Sequence, residues 1–371
     1  MKRLTIYTIC SILLLLTNCN TSNSEKMSFS SSNNTNTAKN VILLIGDGMG
    51  ISQITAGMYA SDSTLNLERF KSIGLQKTDA ANHLVTDSAA GATAFATGKK
   101  TNNGVVGMDA QKQSAKNIIE YVKEKGLTTG LVATSQIAHA TPAAFFAHHP
   151  KRAEMETIAA QLLETDVDLL IGGGQNHFEA RKDSRNISNE LSKKGYQVHS
   201  FMTKTLSETE PNYKDNFLYF TAASLPLSVE QGRDYLPLAT SFSIDFLKNH
   251  SSNGFFLMVE SSQIDWGGHN NNSDYIIQEM LDFDKVIGAA LDFAEADRNT
   301  LVIVTSDHET GGYSINYGSS RKKFKTGFTT DYHTAQMVPV FAYGPNEASF
   351  MGIYDNTDIF KKMIETFGIE E

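Results

Sequence analysis

"NVILLIGDGMG", residues 40–50, sets five apolar residues in a row and then stops at Gly46-Asp47-Gly48. A strand with one wet face would alternate apolar and polar residues, so an unbroken run that ends in glycine reads as a strand buried on both faces of a parallel sheet. Two later stretches repeat the pattern. "GFFLMVESSQIDWGGH", residues 254–269, stops at Glu260, and "TLVIVTSDHETGG", residues 300–312, stops at Asp307-His308. After the second of the three strands, residues 274–294 carry Ile276, Met280, Phe283, Ile287, Leu291 and Ala294 at the spacing of a helix with one buried stripe. Lys116–Lys125 and Ala153–Leu163 read as further covering helices. Strand then helix, repeated, predicts an α/β fold: a central, mostly parallel sheet with helices on both faces and the active site at the carboxyl ends of the strands.

No internal repeat and no Pro- or Gly-rich linker interrupts the chain after residue 40, so residues 39–371 are expected to be a single catalytic domain. The net charge of −9 argues against a nucleic-acid partner, and the one basic run, Arg321-Lys322-Lys323-Phe324-Lys325, reads as a solvated loop. The first 19 residues read as an export signal: Lys2 and Arg3 precede an apolar segment around Ile12–Leu16 that is too short to span a bilayer. Leu16-Thr17-Asn18-Cys19 resembles a bacterial lipoprotein cleavage box. It predicts an exported, periplasmic chain anchored to a membrane by lipid on Cys19. Cys10 lies inside the signal, so no disulfide is expected. Residues 20–38, rich in Ser, Asn and Thr, read as a flexible tether.

All three apolar strands end in carboxylates or histidine, and an open α/β sheet brings such ends together. Asp47, Glu260, Asp265 and Asp307 gathered without neutralisation would be very costly, so cations are implied. Asp265 and His269 are four apart, which puts two ligands on one face if the segment is helical. Asp and His suit zinc; Asp, Glu and a hydroxyl suit magnesium. "TDSAAGATAFATG", residues 86–98, sets Ser88 at the head of a run of small residues. Ser88 is then a helix N-cap, a nucleophile that meets an anion at the helix N-terminus, or both. A dinucleotide-binding reading of "GDGMG" fails, because Ile51 stands where the last glycine should be and Asp47 would repel a pyrophosphate. His148, His149, His177, His199 and His250 are assigned to surface or packing roles.

"DGMG" (47–50), "TDSAAGATAFATG" (86–98), "HATPAAFFAHHPKR" (139–152), "VESSQIDWGGH" (259–269), "TSDHETGG" (305–312) and "YHTAQMVPVFAYGP" (332–345) resemble, in order, the successive motifs of bacterial alkaline phosphatases. The resemblance implies a metal-dependent phosphomonoesterase with two zinc ions and one magnesium. Asp265, His269 and His333 would hold one zinc; Asp47, Asp307 and His308 the other; and Asp47, Thr141 and Glu260 the magnesium. It also implies Ser88 as nucleophile, with a phosphoserine intermediate, and Arg152 as the guanidinium that grips phosphate. Charge is consistent with this. Four carboxylates against three divalent ions leave +2, Arg152 makes +3, and a phosphomonoester dianion with a serine alkoxide brings −3.

This sequence departs from some members at His139, where they have Asp, and at Trp266, where they have Lys. His308 and His333 are only 25 positions apart, whereas many members have a long excursion there. A crown-like insertion at the dimer interface is therefore expected to be missing, which leaves a homodimer open. Related phosphodiesterases and sulfatases are alternatives, but Ser88-Ala89-Ala90-Gly91 does not fit the C/S-x-P-x-R sequence of sulfatases. Arg152 suits the two free oxygens of a monoester. A surface lipoprotein that only sequesters phosphate or zinc is the alternative from another class.

Overall fold

Strand β1 (Asn40–Gly46) is buried along its whole length, as its apolar run requires. Its side chains alternate between two cores: Val41, Leu43 and Ile45 pack on one side of the sheet, Ile42 and Leu44 on the other. The computed structural model describes residues 37–370. The expected signal peptide, Cys19 and nearly all of the tether lie outside them. The tether was expected to run to residue 38, but Ala38 is buried and its N–H donates to the Thr366 carbonyl at 2.8 Å, so Ala38 belongs to the core. Residues 37–370 fall within one compact unit.

The remaining strands are β2 (Ser72–Lys77), β3 (Thr128–Gln136), β4 (Leu169–Gly173), β5 (Tyr196–Ser200), β6 (Asn216–Phe220), β7 (Phe255–Ser261), β8 (Thr300–Thr305), β9 (Glu309–Thr310), β10 (Ser314–Ile315), β11 (Thr326–Gly327), β12 (His333–Thr334), β13 (Val338–Tyr343) and β14 (Gly352–Asp355). β1 and nine of these form one ten-stranded sheet in the order β14-β2-β13-β8-β1-β7-β3-β4-β6-β5. Only β13 runs antiparallel to its neighbours. The three apolar strands of the sequence are thus the adjacent strands β8, β1 and β7. Ile45 of β1 is level with Glu260 on one side and Thr305 on the other, which brings the chemistry-bearing strand ends to one edge.

Helices cover both faces. Ser273–Asp297 starts on the Asn272 side chain, which accepts from the Tyr275 N–H, and ends where Arg298 turns left-handed. All six residues of its predicted stripe are buried. Met280, Phe283, Ile287 and Leu291 each contribute roughly 1.5–3 kcal/mol relative to exposure. On the other face the helix Ser88–Thr97 buries Ala89, Ala92, Phe95 and Ala96. The expected covering helices are present but shorter, Ile118–Glu124 and Met155–Ala160, the latter running on as a tighter turn through Leu163. The basic run is an exposed loop, with Lys322 paired to Asp62 and Arg321 over the Tyr59 ring. No helix among the described residues is long and apolar enough to cross a membrane.

Candidate active site

Asp47 follows β1 by one residue, and its N–H reaches across to the Ser261 carbonyl of β7 at 3.1 Å. Gly48, at φ 71°, lets the chain turn there, and a Cβ on it would lie 2.7 Å from the Asp265 Cα and the Thr310 hydroxyl. Its N–H donates to Asp307 Oδ1 at 3.3 Å. The loop after β1 is thereby tied to the loops after β7 and β8. Asp265 and His269 lie one helical turn apart in the helix Gln263–His269, with Asp265 Oδ2 3.4 Å from His269 Nε2. The short β9–β12 pairing carries His333 back, so that its Nε2 is 3.5 Å from Asp265 Oδ1 and 3.2 Å from His269 Nε2. His308 Nε2 is 3.2 Å from Asp307 Oδ2, 3.5 Å from Asp47 Oδ1 and 3.4 Å from Ser88 Oγ.

The histidines are oriented from behind. His269 Nδ1 faces the Asp331 carbonyl at 2.7 Å and His333 Nδ1 the Thr86 carbonyl at 2.8 Å. A carbonyl only accepts, so Nδ1 carries the proton and Nε2 turns its lone pair inward, the arrangement a metal ligand needs. Two such lone pairs 3.2 Å apart call for a cation or a proton between them.

Carboxylate oxygens make the same demand. Both oxygens of Asp47, Oδ2 of Asp307, Oε1 of Glu260 and the Thr141 hydroxyl are buried without a hydrogen bond. Burial pushes Asp47 well above the usual carboxylate range, with the charges of Asp307, Asp265 and Glu260 adding to it. Glu260 is pushed up to about 7, again chiefly by burial. Burial also raises Asp265, but with a proton rather than a metal ion at Nε2 the His269 and His333 rings outweigh it and hold Asp265 well below the range. Oxygen and imidazole donors left unsatisfied in a buried cluster fit divalent metal ions. Two ligand groupings emerge, Asp265 with His269 and His333, and Asp47 with Asp265 and His308.

Ser88, nearly buried, is the first residue of its helix. Asp87, not Ser88, is the N-cap: its Oδ1 accepts from the Ala90 N–H at 3.0 Å. The Ser88 hydroxyl is therefore free for other work. Asp87 Oδ2 accepts from the Gly104 N–H at 2.9 Å and from Arg152 Nη1 at 3.0 Å, which anchors the guanidinium on the residue before Ser88. Arg152 Nη2 is 3.4 Å from His139 Nε2. Burial, and then the Arg152 charge, push His139 down to about 3, so its imidazole is neutral. Thr141 follows in the short helix Ala140–Ala144, and Trp266 is half-buried one residue past Asp265.

The family model described as alkaline phosphatase matches residues 38–324 and 316–369. The chain belongs to the alkaline phosphatase family. It is similar to alkaline phosphatase 3 of Bacillus subtilis (strain 168), with 35% identity over 88% of each chain. Among solved structures it is similar to the alkaline phosphatase of the Antarctic bacterium TAB5, at 42% identity and a TM-score of 0.86, over 90% of this chain and 100% of that one. A histidine-to-aspartate variant of the TAB5 enzyme has been solved with Mg bound in its M3 site. As a member of the alkaline phosphatase family the chain is a metal-dependent phosphoric monoester hydrolase.

Asp307 faces the same cluster as Asp47, Asp265 and His308: its Oδ1 is held by the Gly48 and His308 N–H groups, and its Oδ2, 3.2 Å from His308 Nε2, is buried without a hydrogen bond. The two stretches matched by the family model meet at residues 316–324, inside the short connection between His308 and His333. Two residues in contact with the candidate site escaped the sequence reading. Asp87 carries Arg152, and the Thr310 hydroxyl joins Asp265 Oδ1, at 2.5 Å, to His308 Nδ1, at 3.2 Å. Both sit inside quoted motifs, but nothing in a motif says which neighbour of a ligand faces inward.

Proposed function

We propose that the chain hydrolyses phosphate monoesters at alkaline pH through a phosphoserine on Ser88. The carrying observation is a buried, uncapped serine hydroxyl at a helix N-terminus, 3.4 Å from His308 Nε2 and next to the residue that anchors Arg152. Two zinc ions and one magnesium complete the site. Asp265, His269 and His333 hold one zinc, Asp47, Asp307 and His308 the other, and Asp47, Thr141 and Glu260 the magnesium. When bound, these ions supply Lewis acidity and positive charge at the attacking and leaving oxygens. Arg152 holds two phosphoryl oxygens with its fork. Ser88 Oγ attacks phosphorus and the bond to the leaving oxygen breaks, the departing alkoxide taking a proton from water. A second water, losing a proton to solvent, then bonds to phosphorus from the vacated side; the Ser88 Oγ–P bond breaks, Oγ regains a proton and inorganic phosphate leaves. Ser88 and the second water must each give up a proton, so the rate rises with pH. Metal analysis of the purified protein, together with trapping of labelled phosphate on Ser88 after acid quench, tests the proposal.

Arg152→Ala is expected to weaken monoester and inorganic phosphate binding by roughly tenfold or more, with any diester hydrolysis nearly unchanged, since a diester lacks the second free oxygen. Steady-state kinetics on a phenyl monoester and a bis-phenyl diester measure this. Equal losses on both substrates would make Arg152 structural.

His139 keeps a neutral ring near Arg152 and supplies no charge to the magnesium shell two residues on, so the third site holds magnesium weakly and zinc competes for it. Added magnesium should activate, excess zinc inhibit, and His139→Asp reduce the magnesium needed for half-maximal activity. The TAB5 variant with Mg bound is in keeping with this. Superimposable magnesium titrations of parent and variant would remove the metal-tuning role. Trp266, in place of a lysine, leaves product phosphate less tightly held. The chain is exported and periplasmic, tethered through lipid on Cys19, and Cys19→Ala should move it from the membrane to the soluble fraction with activity intact. A homodimer without a crown-like insertion is the assembly to test by light scattering.

A further inference from the structure

Glu309 follows His308 directly and has no part in the hydrolysis proposed above, yet its side chain is sealed in and four donors converge on it. Oε1 accepts from Gln53 Nε2 at 2.8 Å and from the Tyr313 N–H at 3.0 Å; Oε2 accepts from the Gly312 N–H at 3.2 Å and from the Thr334 hydroxyl. These donors come from three separate pieces of chain. Gln53 lies in the helix Ile51–Ala60 behind β1, Gly312 and Tyr313 begin the excursion after β9, and Thr334 directly follows His333. Gln53 Nε2 also donates to the Thr310 carbonyl at 2.9 Å. Room for the side chain comes from Gly50, where a Cβ would lie 2.4 Å from Glu309 Cγ.

Backbone bonds also close the excursion that returns His333, the Gly311 N–H donating to the Tyr332 carbonyl and the Thr329 N–H to the Gly311 carbonyl, each at 2.9 Å, with β10 paired to β11 inside it, but the ladder beside His333 is short. β9 and β12 are two residues each and pair only His333 with Thr310 and Thr334 with Glu309. A ladder that short does not hold its own register. We propose that Glu309 is a positioning residue whose carboxylate clasps the ends of the 311–332 excursion together and thereby sets His333 against Asp265 and His269. The proposal rests on the reading of His333 as a metal ligand. It also explains how a short connection can deliver a ligand accurately: one carboxylate bonds both ends of the excursion and the helix behind β1.

Replacing Glu309 with Gln turns one acceptor into an NH2 group that must face an N–H or a hydroxyl, so at least one backbone donor loses its partner. The experiment uses the metal-loaded enzyme and follows zinc release into an excess of chromogenic chelator, together with the visible spectrum of the cobalt-substituted protein. Expected for Glu309→Gln is one of the two zinc ions leaving roughly tenfold or more faster, the other unchanged, and an altered cobalt spectrum. Thr334→Val, which removes one donor, should give an intermediate release rate and carries the same test if the Gln variant does not fold. Parent-like release and cobalt spectra in both variants, whether or not their melting temperature falls, would overturn the positioning role. His333→Ala separates the two readings: if it keeps both zinc ions as tightly as the parent, the ligand assignment fails and the proposal with it. If it loses one zinc while Glu309→Gln and Thr334→Val do not, only the positioning role fails.

Discussion

Ser88→Ala is expected to end phosphoenzyme formation and to lower turnover by roughly three orders of magnitude or more, leaving a residual reaction because Arg152 and the metal ligands still hold the ester. The structure makes this substitution unusually clean to interpret. Asp87 supplies the cap and Ala90 receives it, so losing the Ser88 hydroxyl costs the helix no capping bond. Alanine also has a higher helix propensity than serine, so folding stability should be unchanged or slightly raised. A dead enzyme with an intact melting temperature is the expected pair of results. A loss of less than about tenfold would sink the nucleophile assignment. Asp87→Ala gives the contrast, because it removes a cap worth about 1 kcal/mol and frees Arg152 in the same step.

Stripping the metal with a chelator should abolish turnover, and zinc with magnesium should restore it. It should also change how stability depends on pH. Without metal, burial pushes Glu260 from 4.5 up to about 7, and the hydrogen bond to Asp265 raises His269 from 6.5 to about 9. Between those values each group holds a proton in the folded state that the unfolded chain has released. The stability they add is complete below the unfolded values and is lost as pH rises through the folded ones. Asp47, raised by burial, acts in the same direction. Asp265, held well below 3.8 by His269 and His333 against the effect of burial, acts in the opposite direction but only in acid. His139, pushed down to about 3 by burial and the Arg152 charge, and His333, also lowered by burial, oppose the raised groups below about pH 6.5. The melting temperature of the metal-free protein should therefore fall from about pH 7 to about pH 9. That of the loaded enzyme should fall less, since divalent ions replace those protons, so the gap between the two widens with pH. Scanning calorimetry on both forms measures it. A metal-free melting temperature that is flat or rises over that range would show that protons do not stand in for the metal.

The central strands were legible because burial on both faces leaves an unbroken apolar signature, and β1, β7 and β8 are the strands with the clearest runs. That their ends converge followed from where those runs stop, since an open α/β sheet gathers its ligand-bearing residues at the carboxyl ends of its strands. The helix Ser273–Asp297 was equally readable, its stripe being periodic over several turns. Periodicity did not reveal β9 to β12, because two-residue strands have none; only the spacing of His308 and His333 hinted that the connection was short. Which residue caps the helix Ser88–Thr97 was not legible for a similar reason. In Thr86-Asp87-Ser88 both Asp and Ser are good caps, and the choice depends on Gly104 and Arg152, which lie distant in sequence and draw Asp87 into place.

β1 lies at the middle of the sheet, yet its partners are residues 255–261 and 300–305, more than two hundred positions away. Folding cannot proceed from the amino terminus outward, because the first strand made has no neighbour until most of the chain has been synthesised. Such non-local pairing makes assembly slow, and a partly made chain exposes two unpaired edges of a strongly apolar strand to aggregation. Asp47, Glu260 and Asp307 are brought together by the same late event. The ligand cluster and the centre of the sheet therefore form in one step, and no amino-terminal fragment that ends before β7 can contain either.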